Sequence, residues 1–127
     1  MKRILLVDDS EVYIEIANEI LKSKYEVVTA KSGNEALSFL AKGFIPNLIL
    51  LDILMPEMDG WETFKLIKGI SLLRDVPIAF LTALDSEMEK NQAAIIGASA
   101  FITKPFKKEI LLEKVDTIIC EYEAGKK

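Results

Sequence analysis

Asp8, Asp9, Asp52, Thr82 and Lys104 are the residues of this chain whose types and placement could do chemistry. Each closes a short apolar run. Ile4-Leu5-Leu6-Val7 stops at the two aspartates, Leu48-Ile49-Leu50-Leu51 at Asp52, Ile78-Ala79-Phe80-Leu81 at Thr82, and Ala100-Phe101-Ile102-Thr103 at Lys104-Pro105. Taken singly, each has an ordinary explanation. Asp8, Asp9 or Ser10 could cap a following helix, Asp52 could end a strand in solvent, Thr82 is a common strand residue, and a lysine before proline suits a solvated turn. Their shared placement at equivalent strand ends is what singles them out. Like charges about 4 Å apart repel by roughly 4 kcal/mol at an effective dielectric near 20, so three gathered carboxylates require counter-charge. Lys104 supplies one positive charge. A hard divalent cation with oxygen ligands would supply two more; magnesium is the natural candidate and manganese could substitute. A carboxylate, a divalent ion, an ammonium and a hydroxyl suit phosphoryl transfer: the carboxylate can form an acyl phosphate, and the other groups neutralise or hydrogen-bond the phosphoryl oxygens.

The composition removes many alternatives. The chain has 127 residues, 50% hydrophobic and 28% charged, the balance of one globular domain. It contains no histidine, which excludes Ser-His-Asp and Cys-His catalysis, histidine zinc sites and a phosphohistidine of its own. The lone cysteine, Cys120, excludes an intramolecular disulfide and fits a reducing compartment. A net charge of −4 argues against direct nucleic-acid binding through a basic face. No apolar run approaches the roughly 18 residues of a membrane span, and no signal peptide is recognisable, so a cytoplasmic protein without membrane contact is expected. The six glycines form neither G-x-G-x-x-G nor G-x-x-x-x-G-K-[ST], which leaves a nucleotide- or flavin-binding module unsupported.

The elements that must position these residues alternate along the chain. Between the apolar runs lie amphipathic stretches. Glu11 to Lys24 places Tyr13, Ile16, Ala17, Ile20 and Leu21 on one helical face. Tyr25 to Ala30 is rich in strand formers. Ser32 can cap a helix carrying Ala36, Leu37 and Leu40 and ending near Gly43. Trp61 to Ile70 and Ser86 to Ile96, the latter closed by Gly97, read as helices. A last helix shows Ile110, Leu111, Val115, Ile118, Ile119 and Tyr122 on one face, with Cys120 off that stripe. Five strands thus alternate with five helices. Runs that are apolar throughout are strands covered on both faces, and right-handed crossovers then produce a three-layer α/β sandwich around a parallel sheet. The C-terminal strand ends of such a sheet form its functional edge. Residues 1–123 form the domain, and 124–127 a short polar tail.

With these residues in place, the chain resembles the receiver domain of two-component response regulators over essentially its whole length. The resemblance is carried by Leu5-Leu6-Val7-Asp8-Asp9-Ser10, by Leu51-Asp52-Ile53-Leu54-Met55-Pro56-Glu57-Met58-Asp59-Gly60, by Leu81-Thr82-Ala83 and by Phe101-Ile102-Thr103-Lys104-Pro105-Phe106. It implies a flavodoxin-like sheet of order 2-1-3-4-5 and a Lys104-Pro105 peptide that is often cis. It implies phosphorylation at Asp52; magnesium bound by Asp9 and Asp52, by Asp8 directly or through water, and by the Leu54 carbonyl; and Lys104 paired with the phosphoryl group. Thr82 and Phe101 would act as switch residues, and Ala83 would leave room for the phosphoryl group. The donor would be a histidine kinase or phosphotransfer protein docking largely on the first helix. The fourth helix, fifth strand and fifth helix would signal to a downstream protein target or effector domain, and that face could support a phosphorylation-dependent homodimer. Such a domain catalyses its own phosphotransfer and autodephosphorylation but is otherwise not an enzyme.

The rival readings differ at identifiable positions. A magnesium-dependent aspartyl-phosphate phosphatase places a second acid two residues after its nucleophile, where this chain has Leu54, and needs cap segments for which there is no room. A phosphorylation-independent receiver-like interaction module usually lacks an acid, the threonine or the lysine, all present here. Leu54 and Leu84 are expected to flank the approach to Asp52 and to exclude hydrolytic water. Asp59-Gly60 reads as a turn shaping the loop beside Asp52, and Trp61 as a packing residue.

Overall fold

A computed structural model describes residues 1–125. The strands are β1 (Arg3–Val7), β2 (Glu26–Ala30), β3 (Leu48–Leu51), β4 (Ile78–Thr82) and β5 (Ala100–Thr103). The helices are α1 (Glu11–Leu21), α2 (Gly33–Ala41), α3 (Gly60–Lys68), α4 (Glu87–Ile96) and α5 (Lys108–Gly125). All strand pairs are parallel and the sheet order is β2-β1-β3-β4-β5, the order the resemblance implies.

Strand alternation builds two cores. Side chains of successive strand residues point to opposite faces. Ile4 and Leu6 of β1, Leu48 and Leu50 of β3, and Ala79 and Leu81 of β4 face Ala17 and Leu21 of α1 and Leu111, Val115, Ile118 and Ile119 of α5. Their neighbours Leu5, Val7, Ile49, Leu51, Ile78 and Phe80 face Ala36 and Leu40 of α2, Phe64 and Ile67 of α3, and Ala93 of α4. The central strands therefore read as unbroken apolar runs because both faces are covered. β2, at an edge, is half-buried and ends in the buried Ala30.

Helix starts are set by side-chain caps. Ser10, Ser32, Asp59 and Ser86 each accept a hydrogen bond from a backbone N–H three residues on, contacts typically worth about 1 kcal/mol each. α4 ends at Gly97, whose φ of 94° favours glycine. In two helices the buried face differs from the one periodicity suggests. Ile16, expected on the inner face of the first helix, is 42% exposed, and Ile14 packs on the core instead. Ile110 is likewise exposed, whereas Leu111, expected on the same face, is buried. α1 stops at Leu21 rather than Lys24, and α3 runs from Gly60 to Lys68, with Gly69 at its end and a 3-10 turn at Ser71–Leu73. Ala124 and Gly125, expected in the polar tail, continue α5, while Lys126 and Lys127 lie outside the described residues. No described helix is long and apolar enough to cross a membrane.

α5 is pinned to the α1–β2 turn. Lys24 Nζ lies 2.8 Å from Asp116 Oδ2, and the Tyr25 hydroxyl donates to Asp116 Oδ1. Burial and the adjacent carboxylate raise the tyrosine's pKa. Burial acts to raise that of Asp116, but its bonds to Lys24 and Tyr25 outweigh this and hold it below the usual value of 3.8. A depressed carboxylate contributes stability in full above its unfolded pKa and loses it as pH falls through the folded one. Asp116→Asn should therefore flatten the acid limb of the stability profile below about pH 4, and Tyr25→Phe should cost about 1 kcal/mol at neutral pH, both read from urea midpoints.

Candidate functional site

The parallel register brings the polar strand ends together. Val7 pairs with Leu51, so Asp8 and Asp52 follow on adjacent strands, with the Asp52 N–H donating to the Val7 carbonyl at 2.9 Å. Thr82 pairs with Thr103, and the Lys104 N–H donates to the Thr82 carbonyl at 2.8 Å. Asp8, Asp52, Thr82 and Lys104 are all buried, whereas Asp9 is exposed at the rim.

Lys104 is the hub. Its Nζ donates to Asp52 Oδ2 at 3.2 Å and lies 2.5 Å from Asp8 Oδ2. Although that second contact is close, Asp8 Oδ2 is buried without a partner in hydrogen-bond geometry, so it is held by charge and keeps acceptor capacity. Asp8 Oδ1 accepts from the Ser10 N–H at 2.9 Å, which turns the chain into α1. Asp52 Oδ1 accepts from the Leu54 N–H at 3.3 Å. Thr82 Oγ1 accepts from the Leu84 N–H at 3.4 Å and also favours the charged form of Asp52. Burial raises the pKa of Asp52, the Lys104 ammonium opposes this and Asp8 adds to it; the net direction is upward.

Oxygen atoms of Asp8, Asp9 and Asp52 all lie within 4.8 Å of one another. Three carboxylates against one ammonium leave two negative charges uncompensated. An oxygen-only donor set, an under-satisfied buried carboxylate oxygen and a deficit of two charges fit a hard divalent cation. The remaining expected residues lie close by. Leu54 is 56% exposed and Leu84 half-buried. Phe101 is half-buried, its ring 6.3 Å from that of Phe80. The Lys104-Pro105 peptide is cis. Trp61 packs edge-on against Phe80 at 4.9 Å.

Three neighbours of the cluster make contacts that the sequence does not show. Asp59 is the N-cap of α3 rather than a turn residue alone, its carboxylate accepting from the Glu62 N–H at 3.0 Å. Gly60 presses on the backbone just past β3: a Cβ there would lie 2.3 Å from the Asp52 carbonyl oxygen and 2.6 Å from Ile53 Cα. Its N–H donates to the Ile53 carbonyl at 2.8 Å. A glycine opening a helix is the one sequence signal of such a close approach. The third neighbour is Tyr13, whose ring faces Lys104 Nζ at 4.4 Å; helical periodicity explains it as a core residue and gives no hint of this contact.

Residues 4–116 match the response regulator receiver domain family. The chain is 37% identical over 111 residues to Protein PilG of Pseudomonas aeruginosa, covering 87% of this chain and 82% of that protein. It is 38% identical over 117 residues to Response regulator PleD of Caulobacter vibrioides, covering 91% of this chain but 26% of PleD. Among solved structures, chemotaxis protein CheY4 of Vibrio cholerae superposes with a TM-score of 0.86 at 34% identity, covering 93% of this chain and 98% of that one.

Because Gly60 abuts the backbone of the Asp52 segment, Gly60→Ala should destabilise the protein by about 1–3 kcal/mol through overpacking. A urea midpoint unchanged from wild type would refute the close approach.

Proposed function

The chain belongs to the response regulator receiver domain family of two-component systems, and on that premise we propose that it accepts a phosphoryl group on Asp52 from a phosphohistidine. The carrying observation is the buried Lys104 ammonium bridging Asp8 and Asp52 beside a third carboxylate. A carboxylate oxygen of Asp52 forms a bond to phosphorus as the donor's P–N bond breaks. The electron pair leaves with the imidazole, which takes up a proton from solvent. These 127 residues lack histidine, so the donor phosphohistidine lies outside them, on a histidine kinase or phosphotransfer protein. Asp8, Asp9, Asp52 and the Leu54 carbonyl would hold magnesium, with manganese as a substitute. The bound ion supplies positive charge against the phosphoryl oxygens.

Lys104, already against Asp52, exchanges a carboxylate partner for a phosphoryl oxygen, and the Thr82 hydroxyl donates to another. Moving a two-state equilibrium from 1:99 to 99:1 takes about 5.5 kcal/mol. Two charge-assisted hydrogen bonds at about 1.5–3 kcal/mol each supply most of it, and deeper burial of Phe101 adds to them. The shift is read at α4, β5 and α5 by a protein target or effector domain. A groove of about 440 Å³ along β5 and α5 runs from Phe101 past Phe106 to Ile110 and Lys114, which supports a link between the switch aromatic and the β5–α5 part of that surface. The domain catalyses its own phosphotransfer and slow hydrolysis and no further reaction. A reducing, cytoplasmic setting suits the exposed Cys120.

Intact mass after incubation with phosphoramidate tests the reading. One added phosphoryl group is expected, requiring both magnesium and Asp52 and absent in Asp52→Asn. A folded protein that takes up none would instead be a phosphorylation-independent interaction module. Leu54 stands exposed beside the acceptor, so Leu54→Asn should admit water and speed loss of the phosphoryl group several-fold, followed by the decay of the phosphorylated mass; an unchanged decay would remove the proposed water exclusion.

A further inference from the structure

We propose that Tyr13 is a positioning residue for the phosphoryl transfer, its ring holding the Lys104 ammonium against Asp52; this rests on the phosphoacceptor reading above. The ammonium has three N–H donors. Asp52 Oδ2 and Asp8 Oδ2 occupy two sides, at 3.2 and 2.5 Å, and the Tyr13 ring covers a third, with its centroid 4.4 Å from Nζ. An ammonium over a tyrosine face is attracted by the ring's negative quadrupole, more strongly once desolvated. Here the Lys104 side chain is 5% exposed.

Tyr13 is itself held at its backbone and at its ring. Ser10 Oγ accepts from the Tyr13 N–H, locking Tyr13 into the first turn of α1 directly after the acidic pair. Phe106, just beyond Lys104-Pro105, lies against it with ring centroids 6.1 Å apart. Tyr13 therefore joins the start of α1 to the β5–α5 connection across the lysine.

The chemical consequence lies in what the ring is not. A water or a third carboxylate on that side would take a strong hydrogen bond from the ammonium and compete with an arriving phosphoryl oxygen. The ring face keeps the cation in place and dry without a lone pair to compete. The aromatic face, not the phenol hydroxyl, is the working part.

The test compares Tyr13→Phe with Tyr13→Leu and Tyr13→Met, so that one folded ringless variant suffices, folding being checked by thermal melting. With phosphoramidate and magnesium, the ringless variants should be phosphorylated about tenfold more slowly, and Tyr13→Phe should restore the rate. In a Lys104→Met background the ringless change should have no further effect, because the ring acts through the lysine. The Lys104 ε-methylene protons should carry an upfield ring-current shift in wild type and Tyr13→Phe that disappears in Tyr13→Leu. Wild-type rates in a folded ringless variant, a defect in Tyr13→Phe equal to that in Tyr13→Leu, or the absence of the ring-current shift would each overturn the proposal alone. A wild-type protein that takes up no phosphoryl group would overturn the phosphoacceptor reading and this one with it.

Discussion

A buried lysine facing more negative charge than it can neutralise is the constraint around which this protein is organised. Lys104 meets Asp8 and Asp52 out of water, with Asp9 at the rim. Desolvating such groups costs several kcal/mol per ion, and mutual attraction returns that only with good geometry. A hydrophobic replacement would stabilise the sheet edge at least as well, so the cluster is evidence of chemistry rather than of stability. Its acidic excess suits a site that must receive positive charge and then an anion in turn.

Holding that arrangement falls to the backbone. The acids and the lysine follow directly on the ends of β1, β3 and β5, and a one-residue slide in the parallel register would turn each strand's apolar residues to the wrong core. The two cores clamp β1, β3 and β4 from both faces. Gly60 and Tyr13 then close the site from α3 and α1, one by pressing on the Asp52 backbone and the other by covering the lysine.

The surface proposed for signalling is built differently. α4 contributes Ala93 to the core and leaves Met88 and Ile95 largely exposed. Its neighbour β5 is an edge strand, half-buried at Phe101. Elements with few buried apolar contacts lie at the low end of local stability. The bonding proposed for Thr82 and Lys104, a few kcal/mol, would thus be directed toward the part of the fold that yields most readily, while the sheet around β1 and β3 keeps the acids in place.

How much of this the sequence carries depends on the range of the interaction concerned. Four apolar runs ending at Asp8, Asp52, Thr82 and Lys104 determine the strands and their polar ends, because burial on both faces leaves a continuous local signature. Ser10, Ser32 and Ser86 mark helix starts through contacts made within one turn. The motifs around Asp52 and Lys104 add the family and its sheet order. Tertiary structure decided what depends on partners distant in the chain. Whether Ile14 or Ile16 faces the sheet follows from how α1 packs on the core it shares with α5. Gly60 is required by a strand that precedes it, and Tyr13 meets an ammonium that arrives from the far end of the chain. Periodicity reports that a side chain is buried, but not against what, because the identity of a contact belongs to the packing of elements and not to the element that carries the residue.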